Sequence, residues 1–215
     1  MSDGAVYNLW HHGLGDHWAS LNLMARMAEA SDAPVSFVSP RESYLRNREI
    51  LALLDLGTVR PRLSHLIGTG NRDLDGFHVW ACPYFPTLQR WTPGRVRGHA
   101  CVHFDGLSAA ADKNPPPEDA ETITRWLTDQ GLTVTPLTRA MSLAQIVQAL
   151  ATCSLFVGCD SGMSHIAHSV GCPTYLLEYK LPVVTCHRHK AYVLCTGVGS
   201  FQHQASNWIN YIRAT

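Results

Sequence analysis

"LFVGCDSGMSHIAHSVGCPTYLLE", residues 155–178, is the stretch that decides the fold. An apolar run stops at Gly158-Cys159-Asp160-Ser161-Gly162. A helical pattern follows, then Gly171-Cys172-Pro173, then a second apolar run. Short apolar runs on either side of a helix predict strands buried on both faces of a parallel sheet. Met163, Ile166, Ala167 and Val170 recur at helical spacing and predict the buried side of that helix, which leaves Ser161, His165 and His168 largely off the core. At the carboxyl end of a parallel strand the next helix points its free N–H groups into a crevice. Those donors and the helix dipole favour an anion, most often phosphate. Gly162 lets backbone approach closely, Ser161 adds a hydroxyl, and His165 lies one turn in. The same pattern also fits a plain strand–helix junction that Asp160 or Ser161 caps. GCDSG is not a nucleophile elbow, because its serine is displaced by one position.

Working outward, strands and helices alternate along the chain. Residues 5–10, 35–38, 77–82, 100–105, 133–137, 154–159, 174–178 and 192–195 read as strands, and 17–30, 41–56, 118–130, 142–152, 163–170 and 203–213 as helices. Trp18, Leu21, Ala25 and Ala28 share one face of the first helix. Pro117-Glu118-Asp119 suits a helix start, and Ser142 suits a cap. The order implies an α/β protein with parallel sheets. Both halves carry strand, glycine turn, helix and strand, around Gly13-Leu14-Gly15-Asp16 and around Asp160-Ser161-Gly162. Two small Rossmann-like lobes facing a central cleft explain that echo. Prolines and glycines crowd residues 83–99, so the expected lobes are 1–97 and 98–215.

Composition sets the remaining bounds. With 46% hydrophobic and 16% charged residues, the 215-residue chain has enough apolar material for a substantial core. No apolar stretch is long enough to span a bilayer, and no signal peptide is evident. Seven scattered cysteines, with no C-x-x-C, suggest free thiols and a cytoplasmic setting. Formal net charge is zero, so composition alone does not point to nonspecific nucleic-acid binding.

Other residues invite chemistry. In "HHGLGDHW" (11–18), His12, Gly13 and Gly15 form a turn, and Asp16 falls in the first turn of a helix. An ionised aspartate there can take a proton from an attacking hydroxyl, or it can simply cap the helix. Lys113, on a loop after the strand that opens the second lobe, is either a solvated charge or a phosphate partner. His11-His12 and Cys186-His187-Arg188-His189 lack a recognised zinc spacing, so no metal is expected.

Taken together, "SLAQIVQALATCSLFVGCDSGMSHIAHSVGCPTYLL" (142–177) resembles the helix, strand, D-[ST]-G-x-x-H-[LI]-A motif and G-x-P strand of the ADP-heptose–lipopolysaccharide heptosyltransferases, a family of two-lobed GT-B glycosyltransferases. "GLGDHWASLNLM" (13–24) resembles that family's N-terminal G-x-G-D segment. The resemblance implies an inverting glycosyltransferase that uses a nucleotide sugar, a UDP- or ADP-sugar, as co-substrate; no metal is needed if protein groups carry the charge of the departing diphosphate. It implies that Ser161, Gly162, Met163, His165 and Lys113 contact the donor diphosphate, that Asp160 shapes the donor-sugar site, and that Asp16 is the general base. The chain is shorter than typical members, chiefly in the first lobe, which normally holds the acceptor.

Two acceptors follow. Compact enzymes resembling this one include bacteriophage enzymes that glycosylate hydroxymethylated pyrimidines in DNA. "LQRWTPGRVRGH" (88–99) offers Arg90, Arg95 and Arg97 for phosphates and Trp91 to stack a base. It also reads as a solvated linker. The alternative acceptor is a glycan of the lipopolysaccharide-core type. A sugar-nucleotide-binding module without activity and a sugar-nucleotide epimerase are the rivals to transfer itself.

Overall fold

The computed structural model describes residues 6–9, 13–29, 35–39, 41–53, 63–67, 72–73, 95–106, 113–179 and 192–214. The chain divides into two compact units, Met1–Arg90 and Trp91–Thr215.

In the first unit, strands β1 (Val6–Asn8), β2 (Val35–Ser39), β3 (Leu63–Ile67) and β4 (Arg72–Asp73) form a parallel sheet in the order β3-β2-β1-β4. Helix α1 (Leu14–Glu29) follows β1, and a 3-10 turn (Arg41–Ser43) leads from β2 into α2 (Tyr44–Leu53). Trp18 and Leu21 are fully buried, as their spacing predicts. β3 and β4 were not apparent in the sequence. LSHLI is interrupted by a serine and a histidine, and β4 has two residues, too few for periodicity. The strand expected at 77–82 lies outside the described residues.

The second unit is a five-stranded parallel sheet, β6-β5-β7-β8-β9. Its strands are β5 (Val96–His103), β6 (Thr133–Pro136), β7 (Cys153–Cys159), β8 (Thr174–Leu177) and β9 (Tyr192–Cys195). The helices are α3 (Pro117–Asp129), α4 (Leu143–Thr152), α5 (Gly162–Ser169) and α6 (Val198–Ala214). Central β7 is buried along its whole length because helices cover both faces, which is why its sequence is continuously apolar. Ala100, Val102, Leu155, Val157, Tyr175 and Leu177 pack with Ile123 and Leu127 of α3 and with Phe201, Ala205 and Ile209 of α6. Phe201 sits edge-on to Trp126 and Tyr175, with ring centroids 5.4 and 5.9 Å away. α4 and α5 pack against each other and against β7. Ser142 caps α4 as expected: its hydroxyl accepts the Gln145 N–H at 3.3 Å, and the Gln145 side chain accepts the Ser142 N–H at 2.8 Å.

The expected seam between 97 and 98 falls inside β5. Gly98, read as part of a linker, instead adopts φ +72° within the strand and shifts its register against β7 between Val96 and Ala100. A glycine in a strand pattern here marks a bulge rather than a boundary.

Arg95 departs furthest from expectation. Its guanidinium donates to the carbonyls of Cys153 (2.8 Å), Leu150 and Ala151 (both 3.3 Å) and Val170 (2.9 Å). These are the C-terminal ends of α4 and α5 and the first residue of β7. A cation there satisfies orphan carbonyls and complements both helix dipoles. Arg95 therefore clamps the amino edge of the sheet and is not available to hold an acceptor phosphate. Arg97, exposed, lies at the same edge. Arg95→Ala should destabilise the protein by about 2–4 kcal/mol, since hydrogen bonds to charged groups are worth more than neutral ones. Urea unfolding checks this, and an unchanged midpoint would remove Arg95 from the account of stability.

Candidate functional site

At the opposite, carboxyl edge of the second sheet, three pieces of chain meet: the end of β5, the end of β7, and the segment entering α3. β7 runs through Cys159 and Asp160 into Ser161, whose extended backbone (φ −150°, ψ 176°) starts α5. Ser164 closes this turn on itself. Its N–H reaches the Ser161 carbonyl at 3.1 Å, its hydroxyl donates to that carbonyl at 2.6 Å, and its oxygen accepts the Ser161 N–H at 3.2 Å. The Ser161 hydroxyl faces the Ser164 N–H in a capping-box arrangement. That N–H is already taken by the Ser161 carbonyl, which leaves the buried hydroxyl oxygen without a committed partner. Gly162 and Met163 contribute N–H groups to the first turn, where a helix has no acceptor of its own.

Lys113 lies beside this turn. Its ammonium is 3.0 Å from Asp160 Oδ2, with Lys113 22% and Asp160 6% exposed. Two residues read separately from the sequence, one for phosphate and one for sugar, thus form an ion pair across a gap of 47 positions. Neighbouring Asn114 binds both the N–H and the carbonyl of Gly106. The sequence reading missed Gly106 and Asn114. Their signals were the glycine directly after a strand and an amide next to the one lysine of that loop.

His165 is buried (4% exposed), whereas its spacing had placed it off the core. α5 is enclosed by α4, β7 and β8, so its inward face is wider than one apolar stripe and takes in Ser164 and His165 as well. His168 is half-buried, and Met163, Ile166, Ala167 and Val170 are buried as predicted. His103, at the end of β5, directs Nδ1–H to the Leu137 carbonyl at 3.1 Å, and burial lowers its pKa, so it is neutral at pH 7. Tyr179 donates to Asp119 Oδ2 at 2.7 Å and ties the chain after β8 to the start of α3.

In the first unit, Asp16 is the third residue of α1. Its Oδ2 accepts the Gly13 N–H at 3.2 Å, so the helix-capping role open in the sequence is realised. Gly13 is fitted to it: a Cβ at that position would come 2.7 Å from the same oxygen. Gly15 follows in the first turn of α1. His11, His12, Arg90, Trp91 and Cys186–His189 lie outside the described residues. Among the described residues, no three His, Cys, Asp or Glu side chains group as metal ligands. No described helix is long and apolar enough to cross a membrane.

Two parallel α/β units in one chain, the second with a helix start open at the carboxyl ends of its central strands, have the architecture of the GT-B class. Part of the chain is similar in sequence to a family of that class. Residues 108–177, about a third of the chain, match the model of glycosyltransferase family 9 (heptosyltransferase). The fold is similar to that of Escherichia coli ADP-heptose LPS heptosyltransferase II, at 12% identity and TM-score 0.65, over 97% of this chain and 98% of that one. It is similar to the E. coli heptosyltransferase WaaC with ADP, at 13% identity and TM-score 0.56, over 94% and 97%. It is also similar to TibC, a bacterial iron-containing dodecameric glycosyltransferase from enterotoxigenic E. coli, at 14% identity and TM-score 0.61. That match covers 82% of this chain and only 58% of the other. No curated protein sequence matches the chain.

Proposed function

We propose that the protein is an inverting glycosyltransferase whose second unit binds a nucleotide-sugar donor and whose first unit receives the acceptor. The observation that carries this is the convergence, at the start of α5, of first-turn N–H groups, the uncommitted Ser161 hydroxyl and the Lys113 ammonium 3.0 Å from Asp160. Helix dipole and lysine together make an anion site suited to a diphosphate. Lys113 would exchange the Asp160 carboxylate for a phosphate oxygen, and the freed carboxylate would turn to donor-sugar hydroxyls. His165, one turn into α5 and buried, would reach the diphosphate only from the inward side of that helix.

In the transfer step an acceptor hydroxyl oxygen attacks the anomeric carbon from the side opposite the diphosphate. The new C–O bond forms as the anomeric carbon–phosphate oxygen bond breaks, and the nucleoside diphosphate leaves with the electron pair. Asp16 takes the hydroxyl proton. Capping Gly13 engages one carboxylate oxygen, and a carboxylate has two. The Gly162 and Met163 N–H groups with Lys113 stabilise the charge on the leaving diphosphate. Those groups would carry that charge without a metal.

ADP-sugars are the first donors to test, since ADP accompanies a similar structure, with UDP-sugars second. A glycan hydroxyl is the favoured acceptor. The alternative, a hydroxymethylated pyrimidine in DNA, has lost Arg95 and rests on Arg90, Trp91 and Arg97. A cytoplasmic setting fits a nucleotide-sugar donor. The test offers labelled ADP-heptose and UDP-glucose with core oligosaccharide, hydroxymethylcytosine DNA and unmodified DNA. The expected result is nucleoside diphosphate released only when oligosaccharide is present. Release with hydroxymethylcytosine DNA alone would reassign the acceptor. Donor conversion without any acceptor would indicate an epimerase, and binding without turnover a non-catalytic module.

A further inference from the structure

We infer that Asn114 is the positioning residue for Lys113, holding that lysine at the donor diphosphate by clipping its loop to the ends of both β5 and β7. The inference rests on the donor-site reading above.

One side-chain amide makes three contacts. Asn114 Oδ1 accepts the Gly106 N–H at 2.8 Å and the Cys159 thiol at 3.3 Å, and Nδ2 donates to the Gly106 carbonyl at 3.2 Å. Gly106 lies three residues past the end of β5, and the amide ties residue 114 to it by taking both backbone groups of that glycine. Cys159 ends β7. Each half of the ion pair is therefore anchored by its chain neighbour: Asn114 adjoins Lys113, Cys159 adjoins Asp160, and the two neighbours bond to each other. Burial raises the Cys159 pKa and keeps it a thiol, the form that can donate to Oδ1.

A lysine has a flexible four-carbon stem, and much of its rotamer freedom is lost on binding. Fixing the backbone at its root limits where the ammonium can go and lowers that cost, as a supporting contact does for any preorganised site. Asparagine suits the task because it offers a donor and an acceptor on one planar group, matching the N–H and C=O of Gly106. Alanine offers neither. Gly106 completes the fit. A Cβ there would stand 3.2 Å from Asn114 Oδ1, 3.3 Å from Cys159 Sγ and 3.7 Å from Ser161 Cβ. Gly106→Ala therefore presses on the same clip from the backbone side.

The experiment measures binding of ADP and of inorganic pyrophosphate by calorimetry to the wild type, N114A, G106A, K113A and N114A/K113A. N114A and G106A should each weaken both ligands about 10-fold, and in the K113A background N114A should add less than about 2-fold. Such non-additivity means that Asn114 acts through the lysine. Equal weakening in both backgrounds would mark Asn114 as general scaffolding and overturn the inference, as would wild-type affinity in both N114A and G106A. If the wild type bound neither ligand, the donor-site reading would fall and this inference with it. G106A keeps the test open should N114A fail to fold.

Discussion

Asp16→Asn should lower kcat by about 10²–10⁴-fold, the range that general-base catalysis typically supplies, while donor affinity stays within about 2-fold. The substitution keeps the shape of the side chain, and its amide oxygen can still accept the Gly13 N–H that Asp16 Oδ2 holds at 3.2 Å. It removes the basic oxygen and little else. Asp16→Ala, by contrast, also removes the hydrogen bond to the Gly13 N–H, worth about 1 kcal/mol of stability. Comparing the two variants separates capping from proton transfer. The proposed role predicts an equally large loss of kcat in both, with a lower melting temperature only in the alanine variant. Full turnover by the asparagine variant would assign the base elsewhere, with His11, His12 and His17 the next candidates.

The second large effect is structural. Gly158→Ala should cost about 3 kcal/mol or more, at the upper end of what overpacking a core produces. In the parallel register of β5 and β7, Gly158 lies opposite His103. A Cβ on residue 158 would fall 2.5 Å from the His103 carbonyl oxygen and 2.7 Å from the ring of Phe156. The ring can move, but the carbonyl is backbone, so relief requires the central strand pair to part. Phe156→Leu should therefore fail to rescue the variant. The displacement also reaches the site, because Asp160 is two residues on and Lys113 is held to the strand ends through Gly106. Urea unfolding together with ADP titration checks both consequences. An alanine variant as stable as the wild type would mean that the strands tolerate a spacing this register does not allow.

The second unit was largely legible in the sequence, because its signals are local. The continuous apolar run of β7, the Ser142 cap of α4 and the Pro117-Glu118-Asp119 start of α3 each specify their element without distant help. The first unit was less so. β4 has two residues, and β3 carries polar residues at its centre, so pairing with neighbours rather than pattern defines them. Gly98 misled because it closes a stretch crowded with prolines and glycines, whereas its φ of +72° accompanies a register shift inside β5. Arg95 misled for a related reason. A cation in a stretch with Arg97 and Trp91 suggests a ligand surface, but its four carbonyl partners lie 55 to 75 positions away in sequence. At the candidate site, strand–helix order alone placed Asp160, Ser161 and Gly162 at the junction of β7 and α5. The Lys113–Asp160 pair and the Asn114–Gly106 clip were not, because they join segments that only the sheet brings together. His165 was placed on the wrong side of α5, since helical spacing cannot count how many neighbours enclose a helix.

The claim on which the rest depends is that a donor diphosphate binds at the start of α5. A crystal structure of the protein with ADP, or with an unreactive ADP-sugar, tests it most directly. The account predicts phosphate oxygens within about 3 Å of the Gly162 and Met163 N–H groups. It further predicts that the Lys113 ammonium has turned from Asp160 to a phosphate oxygen, with the Asn114–Gly106 clip intact. A diphosphate bound elsewhere, with Lys113 still on Asp160 and the first turn of α5 closed by Ser164 alone, would contradict it.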